Sequence, residues 1–175
     1  MYKYLLRKKI KNIVRQLKRE KAYLNLDEIK SILVLFDTEN FKDASDFIQQ
    51  MKKMDKKVKA IAFKNKKDAN SYSNISFIVV TDKDMKGNSL SRIINILSDE
   101  SFDLIVDLSL KENLVLLYIL VSINATLKVG FYKYVLPVHD FVISSAPGIT
   151  PTVQELSSQL IHYLTTIASG TRDGK

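Results

Sequence analysis

One stretch constrains this chain more than any other: Ser101 to Tyr132, SFDLIVDLSLKENLVLLYILVSINATLKVGFY. It divides into three apolar runs. Phe102 to Leu108 shows little alternation, which predicts a strand covered on both faces, with Asp107 near its end. Leu114 to Ile123 is almost wholly apolar, which predicts a helix buried on every side. Leu127 to Phe131 reads as a short strand closed by Gly130 and aromatics. A strand, a buried helix and a strand in that order belong at the centre of a layered α/β sandwich.

The flanking segments fit the same plan. Ser31 to Phe36 is rich in branched residues and reads as a strand. Residues 41–54 place Phe41, Ala44, Phe47, Ile48, Met51 and Met54 on one helical face, with Thr38 or Asn40 as N-cap. Val58 to Phe63 is the next strand, and the three make a βαβ unit with an expected right-handed crossover. A polar, aperiodic loop (64–74) leads to a strand over Ile75 to Val80 and a turn holding Gly87. A helix over Ser89 to Asp99 follows, with Ser89 as its cap and Leu90, Ile93, Ile94 and Leu97 inward. After the central unit come a loop with Pro137, a strand over Asp140 to Ser144, and a helix from Thr152 to Ala168. Two joins lack a helix: the one at 64–74 and the one around Pro137. A parallel pair needs a crossover, so each join is either an irregular crossover or an antiparallel turn. The expected fold is therefore α/β: a three-layer, Rossmann-like sandwich around a mostly parallel sheet of five to six strands. Residues 25–170 form a single domain, and a polar tail, 171–175, is expected to be disordered.

With 175 residues and no cysteine, the chain can bury a full core without disulfides, and thiolate metal sites are excluded. The N-terminus lacks the apolar stretch of a signal peptide. The longest apolar run falls well short of the roughly 20 residues that span a bilayer. A cytoplasmic protein is expected. The net charge of +8 is localised: residues 1–24 hold nine basic residues and one acid, which equals the whole excess. Residues 3–19 read as an amphipathic helix, with Leu6, Ile10, Ile13, Val14 and Leu17 as its stripe. Its cations, Lys8, Lys11, Arg15, Lys18 and Arg19 among them, are either a solvated face or a surface for an acidic partner: nucleic acid, protein or anionic membrane. A second run of lysines, from Lys52 to Lys67, reads as a solubilising surface.

In open α/β sheets, ligands sit beyond the strands' carboxyl ends. That places Asp37, Asn40, Asp82, Asp107 and Ser109 as candidate ligand residues. Asp37 and Asp107, if their strands are neighbours, could hold a hard cation or act as acid and base; otherwise they cap the turns and helices that follow. The turn after Ser31 to Phe36 has no glycine, which argues against a dinucleotide or P-loop site. The small-residue segment with Ser145, Gly148, Thr150 and Thr152 leads into a helix N-terminus. It reads either as an anion site or as an ordinary turn capped by Thr150 or Thr152. His139 and His162 lie far apart without ligand spacing, so no metal site is expected, and no cofactor either. No Gly-x-Ser-x-Gly elbow exists.

FDLIVDLS (102–109), the apolar helix, Ser122 to Ala125 and Lys128 to Phe131 together resemble the N-terminal domain of heptosyltransferase-type glycosyltransferases. That resemblance implies a Rossmann-like half without the second domain that binds the sugar-nucleotide donor. The whole layout (basic helix, compact α/β domain, FDLIVDLS, KVGF and a final helix with Tyr-Leu) is similar to a family of small bacterial proteins of unknown function, which implies no catalytic residue. The expectation is a non-enzymatic binding module contacting an acidic partner through the first helix. The alternatives are a small glycosyltransferase-like enzyme or ligand-binding domain, and self-association through the helix's apolar stripe.

Overall fold

The computed structural model describes residues 2–19, 21–68, 70, 72–86, 88–167 and 170–171. In chain order the elements are α1 (Tyr2–Gln16), β1 (Ala22–Tyr23), β2 (Ser31–Asp37), α2 (Phe41–Lys53), β3 (Lys57–Phe63), β4 (Ile78–Val80), α3 (Ser89–Ser98), β5 (Phe102–Asp107), α4 (Leu114–Ser122), β6 (Ala125–Phe131), β7 (Phe141–Ile143), α5 (Val153–Thr166) and β8 (Gly170–Thr171). Short 3-10 turns cover Thr38–Asn40 and Asp82–Met85. The main sheet has the order β4-β3-β2-β5-β6-β7 and is parallel throughout. Chain direction across the sheet reverses between β2 and β5, the switch point of the classical doubly wound order.

Alternation along the strands sorts the core into two halves. Ile32, Val34 and Phe36 of β2 join Phe47, Ile48 and Met51 of α2 and Leu156, Leu160 and Leu164 of α5 on one face. Leu33 and Leu35 join Leu90 and Leu97 of α3, the buried side of α4, and Leu6 and Ile10 of α1 on the other. The connection from β2 to β3 thus crosses on one face and those from β4 to β5 and β5 to β6 on the other, as right-handed crossovers require. The structure is the three-layer, Rossmann-like sandwich that the sequence predicts, with the N-terminal helix as an addition.

Both helix-free joins are irregular crossovers between parallel strands. From β3 to β4 the chain runs over the α2 face, where Ile75 and Phe77 pack on the core. Phe36, Phe41, Tyr72 and Phe77 form a ring cluster with centroids 4.6–6.4 Å apart. Thr38 and the Tyr72 hydroxyl both donate to the Asp68 carboxylate, which these bonds lower to about 2. From β6 to β7 the chain runs over the α4 face, burying Tyr134 and Val138. The apparent lack of period in the first join hides side chains that fill a crossover in place of a helix.

Several boundaries differ from the pattern. α1 ends at Gln16, and Leu17 is left exposed. The chain leaves the helix because Arg19 turns inward. Its guanidinium donates to the carbonyls of Ala125 (2.6 Å) and Thr126 (3.1 Å) and pairs with the buried Asp140. Asn88, not Ser89, precedes α3 at the N-cap position. Ala22–Tyr23 and Gly170–Thr171 form an antiparallel two-stranded ladder, so Thr171 is paired rather than loose. The rest of the expected tail, 172–175, lies outside the described residues, as do Gly87 and Ala168.

α1 packs chiefly against α4. α4 is apolar around its circumference, and with the sheet on one side it needs a second cover. Ile10 (1 % exposed) and Leu6 (7 %) provide it. No described helix is long and apolar enough to cross a membrane. Ile10→Ala should lower stability by about 2–4 kcal/mol, because it opens a cavity over a helix with no polar face to offer water; urea denaturation of the two proteins measures the difference.

Candidate functional site

The candidate site lies over the switch point. β2 and β5 are neighbours, with Leu35 in register with Asp107, so both strands end in a carboxylate at the same edge. Alternation puts Asp37 and Asp107 on the α4 face, but their environments diverge.

Asp107 is fully buried. One carboxylate oxygen accepts from the Ser109 hydroxyl (2.5 Å) and backbone N–H (3.1 Å). The other lies 2.8 Å from Lys133 Nζ and 3.4 Å from His139 Nε2, and both partner side chains are buried. Burial works against the charge, but the Lys133 ammonium and His139 outweigh it and hold the carboxyl well below its usual range. Lys133 also donates to the Ser109 carbonyl at 2.6 Å and lies 5.0 Å from the Tyr134 ring centre. Gly130 completes the arrangement: a Cβ there would overlap the His139 ring. The glycine of the Val-Gly pair is needed for close approach.

Asp37 is only partly buried and opens to a cleft of about 340 Å³. Glu39, Asn40, Phe63, Leu110, Lys111 and Glu112 are among its walls. Asn113 links the cleft to α4: its carbonyl oxygen caps Val115 and Leu116 N–H at 3.0 and 3.2 Å, and its amide donates to Asp37 at 3.1 Å. Burial raises the Asp37 carboxyl to about 6, against the Asn113 bond and with help from the Asp107 charge. Asn40, which also lines the cleft, precedes α2 without making a side-chain cap bond. The cleft thus offers a carboxyl that can exchange a proton near neutral pH, and amides for orientation. Its carboxylates outnumber its one lysine, so it disfavours anions.

The other predicted residues divide. Asp82 opens the 3-10 turn after β4, capped by Thr81 and Asp84. It lines a neighbouring depression with Lys3 and Arg7 instead of the cleft. Ser109 lies beneath the cleft as Asp107's partner. At the second predicted site, Thr152 caps α5 in a reciprocal box with Glu155. The Glu155 carboxylate takes the place an anion would occupy, and Ser145 donates to the Ile149 carbonyl at 3.2 Å. Gly148 sits at φ 83° in an open turn, and Thr150 is exposed. Of the basic residues, Lys8, Lys11, Arg15 and Lys18 are exposed, whereas Arg19 is buried against Asp140. Among the described residues, no group of three or more His, Asp or Glu is placed to hold a metal. Sequence reasoning missed Lys133, Asn113 and the His139 contact. Only Asn113, a cap residue directly before an apolar run, carried a local signal.

Comparison with known proteins gives a family and a shared fold. The model of DUF6913, a family of unknown function, matches residues 3–167. No curated protein matches the sequence. Among solved structures, a family 9 glycosyl transferase from Veillonella parvula shares the fold, with a TM-score of 0.53 and 18% identity over 82% of this chain. The match covers 42% of that protein, so this chain spans less than half its length.

Two substitutions test the site's electrostatics. Lys133→Met should cost about 3–5 kcal/mol, because it strands Asp107 as an uncompensated buried charge. Adding Asp107→Asn should restore most of that loss in denaturant melts. For Asp37, the folded carboxyl binds its proton more tightly than the unfolded one, so its contribution to stability is present at low pH and fades as pH rises from about 4 to about 6. Asp37→Asn should therefore stabilise the protein by about 1–2 kcal/mol at pH 7.5 and by nothing at pH 4, read as the difference in thermal midpoint at each pH.

Proposed function

Since this chain belongs to DUF6913, a family of unknown function, its role has to be read from its own residues, and we propose that it is a non-enzymatic binding module working in the cytoplasm, whose first helix contacts an acidic partner. The observation that carries this reading is the division of labour around α1. Its apolar stripe lies on α4, while Lys8, Lys11, Arg15 and Lys18 stay exposed. The described part of the helix contains no acidic residue. A face that carries the chain's excess charge without internal ion pairs is built to meet opposite charge. The same packing leaves little of the stripe for self-association. Ser109, Asp107 and His139, which have the residue types of a catalytic set, are sealed from solvent and engaged with one another, which also favours binding over chemistry.

A second reading rests on a separate observation, the raised Asp37 carboxyl in a cleft that Asn40 also lines. In it, the cleft over β2 and β5 takes a small neutral or cationic molecule with hydroxyl or amine donors, either as ligand or as the acceptor of a glycosyltransferase-like reaction.

The test uses the full chain, because removing α1 would uncover α4. The Lys8→Gln/Lys11→Gln/Arg15→Gln variant should fold normally and lose about tenfold or more in affinity for polyanions at low salt, with wild-type affinity itself falling as salt rises. Equal binding by the two proteins, measured by fluorescence anisotropy, would end the proposal.

A further inference from the structure

We infer that the outer face of α1 binds the phosphate backbone of a single-stranded nucleic acid. This rests on the acidic-partner reading above and names the partner. Tyr4, Lys8, Lys11 and Arg15 recur at intervals of four, three and four residues, which places them in one line along the helix. Exposed Lys18 follows just past its end. The line presents about one cation per 5.4 Å turn, and none of these four cations pairs with another described residue. Tyr4, at the head of the line, is 72 % exposed; Tyr2 lies on another side of the helix, with Lys86 Nζ 5.5 Å from its ring centre. A row of cations ending in an open aromatic ring suits a strand whose phosphates follow the row and one of whose bases stacks on the ring.

The packing of α1 decides between the acidic partners. A helix that lies on a membrane puts its apolar face among the lipids. Here that face, Leu6 and Ile10, is closed against α4. An acidic protein would satisfy the cations and pack on the tyrosine, but it does not pair a regular row of charges with a flat ring at every step. A nucleic acid strand uses both. Stacking also supplies affinity without sequence preference, in keeping with the absence of any base-reading element on the exposed face.

The experiment compares wild type, Tyr4→Ala and the triple glutamine variant on three probes: a labelled oligouridylate, poly-glutamate and phosphatidylserine vesicles, each across a salt series. All substituted side chains are exposed, and circular dichroism verifies that the variants are folded. Wild type should bind oligouridylate most tightly, with log affinity against log salt of slope about −3, falling to about −0.7 in the triple variant. Tyr4→Ala should weaken oligouridylate binding about tenfold, leaving the slope and the poly-glutamate affinity unchanged. Poly-glutamate or vesicles binding as tightly as oligouridylate, or Tyr4→Ala without effect, would overturn the nucleic-acid assignment and leave the acidic-partner reading standing. No salt-sensitive binding to any probe would overturn both.

Discussion

A helix with no polar side must be covered all round, and the rest of this structure is arranged around meeting that demand for α4. The sheet covers one side of it. α3 and the crossover through Tyr134 and Val138 share the same layer, and α1 closes the exposed flank with Leu6 and Ile10. The first helix is therefore a structural lid before it is anything else. Its cations are held in place by the same contacts that bury its stripe, so the charged face is presented on a rigid support.

The end of that lid is tied by charge. Arg19 reaches the first carbonyls of β6 and the Asp140 carboxylate, and Asp140 in turn accepts from the Lys128 N–H at 2.8 Å. Lys128 itself is buried and donates to the Leu120 carbonyl at 2.6 Å, near the C-terminus of α4. Burial, with Arg19 close by, lowers its ammonium to about 7. Toward the carboxyl end of β6, Lys133, His139 and Ser109 surround Asp107. The β6–β7 join thus enters two buried charge clusters through consecutive residues, His139 and Asp140, which tie the loop to the strands beside it.

Asp37 and Asp107 show how position alone separates two like residues. Both end strands at the switch point on one face. Asp107 is enclosed by the Lys133 ammonium, the His139 ring and a hydroxyl, so it stays ionised and holds the loop that follows it. Asp37 has one amide partner and an opening to solvent, so its carboxyl rises toward neutrality. The first is a fixture of the fold; the second is available to a ligand.

Local pattern was enough for much of this. The βαβ runs, the buried helix, the amphipathic lid, the Thr152 cap and the concentration of charge at the N-terminus all follow from periodicity and residue type, because each is a property of neighbours in the chain. The unbroken parallel order was not legible, since the two helix-free joins are filled by Tyr72, Phe77, Tyr134 and Val138, whose spacing has no period. Nor were the contacts that divide Asp37 from Asp107, or that draw Arg19 out of the basic face: Lys133, His139 and Asp140 reach their partners across strands distant in sequence. The sequence by itself determined which segments must be buried and where the charge must lie. Only the tertiary structure decided which charged groups face solvent, because burial and pairing depend on what the fold brings alongside them.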